Sequence, residues 1–81
     1  MTSYKTIVRG LIKTYITDYF NRSFTGWVDV VRVDALTISG GKCLFSAYVL
    51  MFGCEEAPEF RVTGEVLPSG SIVTSFVEID Q

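Results

Sequence analysis

The sequence predicts an α+β domain: one N-terminal amphipathic helix packed on a four-stranded antiparallel meander, in the order α-β-β-β-β. Three observations carry that expectation. Apolar residues recur at helical spacing over residues 4–22, β-branched and alternating stretches fill the chain after Gly26, and short Gly- or Pro-marked breaks separate those stretches. The 81 residues leave room for one domain, 1–81, with strands expected at about 27–39, 42–53, 59–67 and 72–79.

In the helix, Tyr4, Ile7, Val8, Leu11, Ile12, Tyr15, Ile16, Tyr19 and Phe20 predict one broad buried face. Arg9, Lys13, Thr14, Thr17 and Asn21 fall on the opposite side. Thr2 or Ser3 supplies the N-cap, and "NRSFTG" has the polar and glycine character of a stop. Gly10 lies on the polar side and costs about 1 kcal/mol relative to alanine.

The first strand, "WVDVVRVDALTIS", is rich in β-branched residues, but its alternation slips near Val30–Val31 and again near Ala35–Leu36. Such slips predict a bulge or strong bending. "SGGK" then offers a two-residue hairpin turn. The second strand is apolar on both sides: Cys43, Phe45, Ala47, Val49 and Met51 point one way, and Leu44, Tyr48, Leu50 and Phe52 the other. After the wider connection "GCEEAP", the third strand turns Phe60, Val62, Gly64 and Val66 inward. "PSGS" makes the last turn and "IVTSFVEI" the last strand.

A single helix covers a single sheet face, so one apolar set of the second strand needs another cover. Leu44, Tyr48, Leu50 and Phe52 are the expected homodimer face, since a chain this small gains core by self-association. A curled sheet that hides both sets and a groove for a foreign partner or apolar ligand are the alternatives, and the alternation leaves open which set meets the helix. The order of helix and meander is similar, at the level of topology alone, to the cystatin-like and NTF2-like α+β cups. That resemblance implies a curved sheet around the helix and assigns no residue a role.

Composition narrows the function. The chain has no histidine, and GxSxG, GxGxxG and P-loop patterns are absent, so no catalytic residues and no cofactor are expected. Asp29 and Asp34 stand at opposite parities and form no carboxylate pair. Cys43 and Cys54 also differ in parity, which argues against a disulfide and for two thiols in a reducing compartment. Cys54, Glu55, Glu56 and Glu59 read as a solvated acidic turn and not as a metal site. No signal peptide or apolar run of membrane-spanning length is visible, so a cytoplasmic protein is expected.

The net charge of −2 argues against a nucleic-acid partner. Its distribution is lopsided, at +3 over residues 1–22 and −5 over the remainder. Such a dipole orients association with another protein, for which Glu55, Glu56, Glu59, Arg9 and Lys13 are the candidate contacts. The expected function is therefore a small non-enzymatic protein-binding module. It would be homodimeric and act as an inhibitor or adaptor of the kind that viruses and mobile elements encode. The alternative is a cup that holds a small apolar ligand near Trp27, Phe45 and Tyr48.

Overall fold

The computed structural model describes residues 3–53 and 57–79. Cys54, Glu55 and Glu56, and with them most of the acidic turn, lie outside the described residues.

Helix α1 spans Tyr4–Ser23. Ser3 is its N-cap, with an extended backbone and a side-chain oxygen that accepts the Thr6 N–H at 3.2 Å, which satisfies one of the unpaired first-turn donors. At the other end Phe24 leaves the helix in an extended conformation while its N–H donates to the Phe20 carbonyl. Asn21 then accepts the Val28 N–H at 2.8 Å, which ties the helix end to the start of the sheet.

Only Val8, Ile12, Ile16 and Phe20 of α1 are buried. The broad face expected from nine apolar positions is therefore a narrower stripe. Tyr15 is partly covered, while Tyr4, Ile7, Leu11 and Tyr19 are exposed. Val8, Ile12, Ile16 and Phe20 form one row at four-residue spacing that meets the sheet, whereas Ile7, Leu11 and Tyr19 belong to the neighbouring row, which stays in solvent.

The sheet has the order β1-β2-β3-β4, every pair antiparallel, with β1 Trp27–Ser39, β2 Lys42–Phe52, β3 Glu59–Val66 and β4 Ile72–Glu78. Gly40 and Gly41 both take positive φ, 57° and 79°, as a two-residue hairpin turn between β1 and β2 requires. The register of β1 on β2 shifts at Asp29 and at Asp34. These bulges sit one or two residues before the expected slips. An acidic residue takes each unpaired position, and the apolar alternation registers the slip only after it.

The core lies between α1 and the face of β2 made by Cys43, Phe45, Ala47, Val49 and Met51, joined by Phe60, Val62 and Val66 of β3. At the helix C-terminus Phe20 packs among Phe24, Phe60 and Phe76, with ring centroids 5.1–5.3 Å apart. No buried polar side chain interrupts this core among the described residues. No described helix is long and apolar enough to cross a membrane.

Gly10 is open to improvement. A Cβ placed there meets nothing within 4 Å. Gly10→Ala is expected to raise stability by about 1 kcal/mol through helix propensity alone. Urea unfolding checks this: the midpoint rises with the slope unchanged.

Candidate functional site: the open face of the sheet

The second face of the sheet carries no cover among the described residues. Leu44 and Phe52 are exposed, and Tyr48 and Leu50 half-buried, so the four residues expected to seek a partner do share the surface opposite α1. Register adds neighbours to them. Trp27 stands opposite Phe52, Val30 opposite Leu50 and Thr37 opposite Leu44 on β1, while Val73 and Val77 of β4 occupy the same face through Glu65 and Arg61. Trp27, Val73 and Val77 are all more than half exposed.

At the centre of this face is a polar row. Tyr48 pairs with Arg32 on one side and Arg61 on the other. The Arg32 guanidinium lies 4.9 Å from the centroid of the Tyr48 ring, a cation–π arrangement. The bulge at Asp34 turns that carboxylate onto the same face, where it accepts from Arg32 Nε at 2.6 Å and lies 3.9 Å from Arg61 Nη1. The hydrogen bond to Asp34 and the carboxylate's charge raise the Arg32 pKa further and fix its charged state. Arg61 Nη1 also reaches Ser46 Oγ at 3.5 Å. Partial burial, together with the charge of Glu59 and a hydrogen bond to it, raises the Tyr48 phenol above its ordinary pKa, against the opposing pull of Arg32. The phenol therefore remains a protonated donor throughout the physiological range.

Apolar groups flank the row at both ends. On one side the Trp27 and Phe52 rings are 5.5 Å apart, and the Trp27 ring lies over Gly53 so closely that a Cβ there would fall 2.5 Å from it. On the other side a shallow depression opens over Gly64, lined by Leu44, Thr63, Glu65, Val73 and Ser75. Lys42 and Glu65 border it at 3.8 Å.

The candidate contacts do not form one site. Glu59 belongs to the open face through Tyr48, whereas Arg9 and Lys13 are exposed on the helix. Glu55 and Glu56 lie outside the described residues. Trp27 and Tyr48 are on the open face while Phe45 is buried under the helix, so these three do not line a common chamber. Cys43 is a free, buried thiol inside the core. Among the described residues no group of His, Cys, Asp and Glu side chains is placed to hold a metal ion.

Arg32, Asp34 and Arg61 were not among the residues expected to matter. Their signal lies in pairing across two hairpins, which places one arginine on each side of Tyr48, and no single stretch of sequence displays it. No family model, no characterised protein and no solved structure matches this chain.

Proposed function

We propose that the chain is a small non-enzymatic protein-binding module whose partner surface is the open face of the sheet. The observation that carries this reading is the Arg32–Tyr48–Arg61 row set between two exposed apolar groups, Trp27 with Phe52 and Leu44 with Val73. Tyr, Trp and Arg are the residues that concentrate binding energy at protein interfaces. Strands about 4.8 Å apart that rise about 3.3 Å per residue give the face roughly 600 Å², near the ~800 Å² each side of a standard interface contributes.

The polar row favours a foreign protein over a second copy on this face. Two-fold packing of the face on itself would press two arginine rows together and strip water from ion pairs already satisfied within each chain. A partner that presents apolar side chains around a carboxylate or carbonyl acceptor fits better, since Arg61 is held only loosely, at 3.5 and 3.9 Å, and keeps donors to spare. Binding without chemistry makes such a chain an inhibitor or adaptor of the protein it covers.

The test is affinity capture from extracts of the encoding organism, with variants of two surfaces compared. Trp27→Ala and Arg61→Glu are expected to lose a stoichiometric protein partner that wild type retains, with melting temperature nearly unchanged. Arg9→Glu with Lys13→Glu is expected to retain it. The reverse pattern would transfer the partner surface to the helix.

A further inference from the structure

The two edges of the sheet are built differently. β1 carries two bulges and the charged residues Asp29, Arg32 and Asp34, all devices that discourage another strand from pairing. β4 has no bulge, and its one charge is Glu78 at its end. It pairs with β3 through seven consecutive residues without a register shift, and Ile72–Val77 contains no charge and no proline. Among the described residues no strand pairs with its outer edge.

The ladder shows which groups that edge presents. Leu67 N–H donates to the Ser71 carbonyl and Ile79 N–H to the Glu59 carbonyl. The odd-numbered residues of β4 therefore face β3, and Ile72, Thr74, Phe76 and Glu78 direct their N–H and C=O groups to the open edge. On the helix side of the sheet, Tyr19 packs against Phe76 of β4 at 5.9 Å and stacks with Tyr15, so the uncovered row of α1 faces the β4 half of the sheet at that end. Tyr4, Ile7 and Leu11 continue it, each at least half exposed.

We infer that a second copy of this chain adds antiparallel to β4, about a two-fold axis at Ser75, to form one eight-stranded sheet with both helices on the same side. The sequence of β4 is self-complementary in that register. Ile72 meets the mate of Glu78, Val73 that of Val77, Thr74 that of Phe76, and Ser75 its own mate, so no like charges oppose. The pairs with outward groups exchange about eight main-chain hydrogen bonds. Val73 and Val77, 54% and 66% exposed, cover each other across the seam, and the axis turns the two exposed helix flanks toward one another. The occupant is a second copy because the edge and the flank are unprotected on the same side and match themselves in register and charge. The inference rests on β4 and α1 and stands apart from the partner reading of the open face, although it would place two such faces side by side.

Ser75→Cys tests it. The mates at the axis form a non-hydrogen-bonded pair, with Cα atoms about 4.5 Å apart, within disulfide reach. In a Cys54→Ser background, mild oxidation is expected to convert this variant to a covalent dimer, while the background alone and its Leu44→Cys derivative give none. Light scattering on wild type is expected to read twice the 9.0 kDa chain mass. Thr74→Pro removes an outward N–H without touching the β3 ladder, and is expected to abolish the dimer while circular dichroism is retained. Should that variant fail to fold, Val77→Lys replaces it, as a charge on the outer side of the same seam. A monomeric wild type, the absence of cross-linking through Ser75→Cys, or cross-linking through Leu44→Cys instead would each overturn the inference.

Discussion

Phe20→Ala is expected to lower stability by about 3–5 kcal/mol, a large share of the roughly 4–12 kcal/mol expected of a domain this size. Phe20 is 1% exposed and packs against the rings of Phe24, Phe60 and Phe76, drawn from the helix end and from two strands. No neighbouring side chain is free to fill the space, because each ring is already held by another: Phe24 by Phe60, and Phe60 by Phe76. Phe52→Ala removes the same side chain from the open face, where the ring is 54% exposed, and is expected to cost less than about 1 kcal/mol. Urea unfolding of the two variants side by side measures the difference. Equal costs would mean that the face called open is covered in the isolated protein.

Gly64→Val is expected to destabilise by about 3 kcal/mol through a different mechanism. A Cβ at Gly64 would stand 2.3 Å from the Val73 carbonyl oxygen and 2.9 Å from Phe45 Cζ. The Phe45 ring can tilt, but the Val73 oxygen belongs to the β4 backbone, so relief requires β4 to part from β3. Gly64→Ala carries the same clash and is expected to destabilise in the same direction. Amide exchange locates the damage, with β4 amides losing protection before those of β2. Uniform loss across the sheet, or a neutral Gly64→Ala, would contradict this packing.

The fold was legible in the sequence because each element announces itself locally. The four-residue spacing of Val8, Ile12, Ile16 and Phe20 marks the helix, Gly40 and Gly41 mark the hairpin, and alternation marks β3. The two-sided β2 correctly implied an open face, because one helix cannot cover both Phe45 and Leu44. What the sequence left undecided was which β2 set meets the helix, since both are apolar and of similar bulk. The width of the helix's buried face was overstated for a related reason. Periodicity reports that Ile7 and Leu11 share a side with Val8 and Ile12, but not which of the two neighbouring rows the sheet covers.

The polar row was hidden for a topological reason. Arg32, Tyr48 and Arg61 are distant in sequence and adjacent only in register, and the bulge that brings Asp34 to them breaks the alternation by which its face would be read. Charge runs such as Glu55–Glu56 are visible in one dimension and drew attention for that reason. A site assembled across three strands is not.

Contact between the open face and another protein can be read in place. The most direct measurement places a photo-cross-linking benzoylphenylalanine at Leu44, on that face, and separately at Lys13, on the exposed side of the helix, in cells of the encoding organism. An adduct from position 44 with one protein of different mass is expected, and little from position 13. An adduct from position 13 alone, or one from position 44 that contains only a second copy of this chain, would remove the open face as the surface for a foreign partner.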